Sequence, residues 1–172
     1  MRIQTILNRT EKIKGFKFGK ACLIEKPTRS EIVVQVLHRK NNRPICSGCG
    51  KRGDTYDRLK QRRFEHVPIY AMAVIFLYAM RQVDCKNSGV TVEMVPWCDG
   101  KNRLTNSFRW FLSTWAKRLS WKEVATIFNT SWDSVCRSVE HAVEWGLKYR
   151  DLSQIRVLGI DEIAWAKGHQ YM

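Results

Sequence analysis

Apolar positions along the first hundred residues fall in runs separated by turn-forming residues. "SEIVVQVLHR" is apolar with partial alternation, "RPICSGCGKRG" is a glycine-rich turn, and "VPIYAMAVIFLYAM" is a second apolar run. This pattern predicts short strands, so residues 1–96 read as a mostly-β segment. From 104 to 149 the period becomes helical: Phe108, Phe111, Leu112, Trp115 and Leu119 fall at i, i+3, i+4, i+7 and i+11 of one face. "PWCDGKNR" separates the two parts as a linker. The last segment, 155–172, reads as a strand followed by the start of a hairpin across Lys167-Gly168. No internal repeat or low-complexity tract interrupts this order.

Within the helical part, "LSWKEVATIFNTSWDSVCRSVEHAVEWG" carries start and stop signals for two helices. Ser120 with Glu123 makes a capping box, Val124, Ala125 and Phe128 give an inner face, Asn129-Thr130 breaks the helix, and Ser131 caps the next one. In that second helix an apolar stripe of Trp132, Val135, Val139 and Ala142 or Val143 leaves Asp133, Ser134, Arg137, Ser138 and His141 facing outward. A helix-turn-helix reader of duplex DNA needs such a face, with short polar side chains near the helix start and an arginine able to reach guanine or phosphate. Any antiparallel helix pair also buries one stripe, and Asp133 with Arg137 makes an ordinary i,i+4 pair.

Charge adds a partner. The 172 residues carry a formal net charge of +14, and the first ninety hold nineteen basic residues against seven acidic ones. Such an excess attracts polyanions through phosphate contacts and counterion release. The clusters "HRKNNR" and "RLKQRR" supply candidate phosphate contacts in Arg39, Lys60, Arg62 and Arg63, which would position the protein without specifying sequence. The N-terminus lacks the apolar core of a secretory signal, which predicts a cytoplasmic protein. The uncharged stretch from Ile69 to Met80 is about half a membrane crossing, which predicts no membrane association.

Six cysteines in a reducing compartment point to a metal or to core packing. Cys46 and Cys49 have the two-residue spacing that turns both thiolates toward one ion. A structural zinc takes four donors. Cys85 is the natural third, but Ser88 stands three residues later where a second pair would be completed by cysteine. Cys98 is one candidate for the fourth position, with His66 or His38 as alternatives; the other reading is a relic knuckle held by packing. Cys22 and Cys136 read as small buried residues.

Taken together, "ILNRTEKIKGF", "CSGCG", "RRFEHVPI", "RQVDC", "EMVPW", "SWDSVCRSVEHAV" and "VLGIDEIAWAKGHQYM" resemble the N-terminal half of insertion-sequence transposases of the ISL-three family. The resemblance implies an α+β multidomain chain: a small, mostly-β, zinc-ribbon-like domain, a helix-turn-helix domain, and the first β-hairpin of a truncated ribonuclease-H-like domain. It places Asp161 at the family's first catalytic aspartate. In an intact catalytic domain two Mg²⁺ or Mn²⁺ ions held by carboxylates drive in-line attack on a phosphodiester. Glu162, one residue along the expected strand, should face the opposite side and is expected to be a poor substitute for the second Asp and the Glu. The expectation is therefore a DNA-binding fragment that recognises the terminal repeats of its element and does not cut DNA alone. A stand-alone inhibitor of transposition, or a module pairing with another transposase subunit, are the alternatives. An unburied apolar face at Val157, Leu158, Ile160 and Ile163 predicts loose packing of the final hairpin.

Overall fold

The computed structural model describes the chain except residues 1, 28, 154–155, 157–158, 160–163, 167–169 and 172. It is mixed α+β. Two compact units divide it, Met1–Ala142 and Val143–Met172. The second unit holds the end of a long helix and a short antiparallel pair, Ala164–Ala166 with Gln170–Tyr171. Asp161, Glu162 and the apolar positions of the expected final hairpin lie outside the described residues.

In the first unit the spine is a long hairpin of β4 (Asp54–Ile69) and β5 (Met72–Cys85). These strands are far longer than the short ones that the sequence pattern suggests. Their two-residue turn sets both Tyr70 and Ala71 at positive φ, 49° and 63°. A type I′ hairpin requires that pair of left-handed residues, normally at a cost that Asn and Gly avoid. Around the hairpin, β1 (Phe16–Ile24) pairs antiparallel with β2 (Glu31–His38), and β2 runs parallel to the first half of β5. The second half of β5 pairs with β6 (Gly89–Met94), which in turn holds the short β3 (Ile45–Cys46).

The continuous apolar runs of β2 and β5 now have a reason. One face sends Val34, Val36, Val74, Phe76 and Tyr78 into the main core, while Val33, Ala73 and Ile75 form a smaller cluster on the other. Strands buried on both faces cannot alternate. Trp97 is the hub of the main core, edge-on to Phe16, Tyr78 and Phe64 at 4.9, 5.3 and 5.8 Å between ring centres. A helix that sequence reasoning assigned to the β part, α1 (Ile3–Thr10), covers this core with Leu7. Only one of its residues is buried, too weak a period to read against its charged neighbours.

The connection to the helices is not a free linker. Arg62 donates to the carbonyls of Gly100 and Asn102, at 3.3 and 2.6 Å, and the backbone of Glu65 bonds with Arg103 and Thr105. Thr105 caps α2 (Asn106–Trp115) by accepting from the Phe108 amide, and its hydroxyl also meets His66 Nδ1 at 3.0 Å. α3 (Trp121–Ile127) and α4 (Trp132–Tyr149) follow. Leu104, Phe108, Leu112, Val124, Ala125 and Val135 form their core. α2 ends at Trp115, so Leu119 lies beyond the helix whose period it seemed to extend.

Candidate nucleic-acid interface and cysteine cluster

The turn between α3 and α4 is built as its sequence signals specify. The Ser120 hydroxyl accepts from the Glu123 amide at 3.3 Å, and Glu123 Oε2 accepts from the Ser120 amide at 2.8 Å, so both arms of the capping box are made. Those hydrogen bonds from Ser120 hold the Glu123 carboxyl below its ordinary pKa. Asn129 ends α3 with φ at 50°, a value asparagine tolerates better than most residues. Ser131 then accepts from the Ser134 amide at 3.1 Å and caps α4.

The outward face of α4 is narrower than its sequence suggests. Asp133 and Arg137 are exposed and paired at 3.1 Å, and Ser134 is half-buried. Ser138, expected outside, is 1% exposed, with its hydroxyl donating to the Ser134 carbonyl at 2.6 Å. Val135 and Ser138 are three residues apart and share one face, which turns inward where α2 crosses α4. That crossing is marked by Arg109, which donates to the Arg137 carbonyl at 3.4 Å, and by Trp110, whose ring lies 5.7 Å from half-buried His141. The expected apolar stripe shifts accordingly. Trp132 is 54% exposed and leans on Trp121 instead of entering the core, and of the alternatives Ala142 and Val143 the first is half-buried and the second exposed.

The basic positions also divide. Arg39 and Lys60 are exposed, with no side-chain partner among the described residues. Arg62 is already committed: besides its two carbonyl bonds, its guanidinium lies over the Phe64 ring at 4.7 Å. Arg63 pairs with Glu31 at 2.7 Å, and Lys26 joins the same carboxylate at 2.8 Å. Position within β4, invisible in a linear cluster of charges, decides which arginines hold the fold together. Sequence reasoning passed over Lys101, Arg103 and Arg109; the first two were signalled only by the basic "KNR" at the linker's end, and Arg109 only as a lone charge within the apolar run of α2.

The cysteine spacing converges as expected for three positions. The sulfurs of Cys46, Cys49 and Cys85 lie within 4.8 Å of one another, with Cys49 and Cys85 3.4 Å apart. A tetrahedral zinc with bonds of about 2.3 Å spaces its sulfurs at about 3.8 Å, so these thiols fit three corners and could bind a metal. Hydroxyls stand around them: Thr91 Oγ1 is 3.1 Å from the Cys46 sulfur. The Ser88 hydroxyl lies 2.8 Å from where a Cβ on Gly48 would sit, so a side chain at position 48 would displace Ser88. The Thr91 hydroxyl, with the backbone amides of Cys49 and Gly48, brings the Cys46 thiol down to about 6 despite its burial. The Lys51 amide favours the Cys49 thiolate, yet the adjoining Cys85 thiol and burial push that group upward.

None of the three candidate fourth ligands joins that cluster. Cys98 belongs to the main core, donates to the Asn102 carbonyl at 2.8 Å, and is pushed up to about 11 by burial. His66 stacks on Phe76 at 4.5 Å and is lowered to about 4 by burial. His38 meets Arg58 at 3.1 Å. The chain's course through β6 and the Trp97 hub carries Cys98 into a different cluster, which no spacing rule foresees. Cys22 is exposed and Cys136 half-buried, so neither is the core residue expected.

No helix among the described residues is long and apolar enough to cross a membrane. No protein-family model matches the chain, and no solved structure matches it. Among curated proteins it is 26% identical over 128 residues to a transposase for insertion sequence element IS1001 of Bordetella parapertussis, covering 74% of this chain and 32% of that protein. It is 24% identical over 155 residues to a transposase for insertion sequence element IS1557 of Mycobacterium tuberculosis, covering 83% of this chain and 33% of that one. The chain is thus similar to insertion-sequence transposases and spans about a third of their length.

Proposed function

We propose that this chain is the DNA-binding portion of an insertion-sequence transposase of the ISL-three type, which recognises the duplex ends of its element through α4. The observation that carries this reading is the doubly capped α3–turn–α4 unit, in a chain of net charge +14 whose similarity to transposases runs through that unit. In this reading the first turns of α4 enter the major groove. Ser131, Asp133 and Ser134 face the groove wall, and Arg137 reaches a guanine edge or a phosphate. The Asp133–Arg137 pair does not prevent this. An exposed pair contributes about 0–1 kcal/mol, whereas a bidentate arginine–guanine contact is worth about 1–3 kcal/mol of discrimination. Arg39 and Lys60 add backbone contacts, while His141 and Ser138 support the helix from behind.

The β-rich segment of 1–96 serves in this reading as a zinc-binding domain, with Cys46, Cys49 and Cys85 as ligands and a hydroxyl or water completing the coordination. Zinc there would tie the β3 turn to the end of β5, a structural role. Asp161 is proposed as one carboxylate of a catalytic two-metal centre in the longer protein. The test is an electrophoretic shift with duplexes carrying the element's terminal repeat and with a scrambled duplex of equal length. Preferential retardation of the repeat is expected, together with its loss on Arg137→Ala. Equal or absent retardation of both duplexes at low ionic strength would refute the reading.

A further inference from the structure

A cleft of about 540 Å³ opens where the 99–103 connection meets α2 and the beginning of α4, and it shares only Ser134 and Arg137 with the groove contact proposed above. Lys101, Arg103, Arg109 and Arg137 line it with Ser134, and Asp99 is the acid among its lining residues. Lys101 and Arg103 are exposed, with no side-chain partner among the described residues. Arg109 is different. Its side chain is 11% exposed, its terminal nitrogens make only long contacts, 3.5 Å to Asp99 and 3.4 Å to the Arg137 carbonyl, and its Nε is buried with no acceptor.

A guanidinium presents five donors in a fixed plane, and a buried donor left unmade costs free energy that the fold must carry. A phosphodiester supplies what is missing. Its two anionic oxygens match the fork of one arginine, and cations around it offset its charge. We propose that this cleft is a phosphate site that holds one backbone phosphodiester of the bound duplex, with Arg109 as anchor and Lys101 and Arg103 as its exposed charges. The proposal rests on the DNA-binding reading and adds a contact to it. Because Ser134 and Arg137 belong both to the cleft and to the first turns of α4, a phosphate seated here would set how deep and at what rotation that helix meets the bases. Phosphate contacts position a reader in this way while base contacts specify.

The experiment uses the full chain and two probes. With a generic duplex, the dependence of log K on log salt is compared between the wild type and the exposed double variant Lys101→Gln/Arg103→Gln. The slope should fall by about 0.9, the share of the one phosphate whose exposed counter-charges are removed. With inorganic phosphate, the Arg109 Nε–H resonance is followed by NMR and should move in a saturable way, and Arg109→Lys should abolish duplex retention at salt concentrations where the wild type still binds. Duplex binding with an unchanged slope and a stationary Nε–H signal overturns the site and leaves the DNA-binding reading intact. No duplex binding at low salt, with a phosphate-induced shift at Arg109, retains the phosphate site but overturns both its backbone source and the DNA-binding reading. A silent result with both probes refutes the two together.

Discussion

Two arginine–carboxylate pairs of nearly equal length show how location decides what a pair does. Arg81 meets Glu93 at 2.7 Å with both side chains at most 3% exposed, whereas Arg137 meets Asp133 at 3.1 Å with both more than 60% exposed. Around Glu93 the bonding is complete: the Arg81 amide and Tyr78 hydroxyl reach Oε1, two guanidinium nitrogens reach Oε2, and the remaining one donates to the Asn42 carbonyl. Burial, with Glu93 beside it, raises the Tyr78 phenol well above its ordinary pKa. Removing one charge there strands the other in a dry interior. At the α4 surface water takes its place.

The sharpest break of this comparison is Glu93→Gln. It should destabilise the first unit by about 3–5 kcal/mol, because Arg81 stays charged and buried. Replacing both, Arg81→Met with Glu93→Leu, should recover most of that loss. Urea denaturation checks both, and a cost below 1 kcal/mol for the single variant would make the buried pair equivalent to the exposed one.

Next in size is a pH effect from His66, also buried in the first unit. Its folded pKa of about 4 lies below the ordinary 6.5, so between those values the unfolded chain binds the proton and the folded one does not. Stability therefore falls as pH drops from 6.5 toward 4, by up to about 3 kcal/mol. Glu11, 3.6 Å from Nε2, is too distant to make a good hydrogen bond that would offset burial. In His66→Gln the slope of unfolding free energy against pH should flatten across that window; an unchanged slope would mean that the histidine is solvated.

A third, smaller effect belongs to the capping box. Ser120→Ala removes the acceptor for the Glu123 amide and should cost about 1 kcal/mol, read from the thermal midpoint. It should also weaken binding to the terminal repeat no more than its stability loss explains, since it lies behind the reading face.

What could be read from the chain, and what could not, follows the same division between local and distant causes. The capping box, the Asn129 break and the Ser131 cap involve residues within four positions of one another, and all appear as expected. The convergence of Cys85 on Cys46 and Cys49 was legible from motif spacing because a hairpin end brings them together. Ser138 was misplaced because a helix alone does not reveal the direction from which its neighbour arrives. The same holds for Arg62, whose acceptors sit thirty-eight and forty residues away. Cys98 lies outside the cysteine cluster for a topological reason: the path that carries Trp97 into the aromatic core takes Cys98 with it.

The smallest stability effect tests the exposed member of the comparison. Asp133→Asn removes the partner of Arg137 and an acid near the start of α4, where the helix dipole favours negative charge, so it should cost no more than about 0.5 kcal/mol. Its consequence for DNA should have the opposite sign. Freed from its carboxylate and with one negative charge fewer facing phosphate, Arg137 should bind a generic duplex more tightly, and the terminal repeat should gain less, because Asp133 can itself accept from a cytosine amino group. Discrimination between the two duplexes should therefore shrink while both affinities rise. If affinity for both falls instead, Asp133 is orienting Arg137 for the bases, and the exposed pair would belong to the recognition surface as a unit.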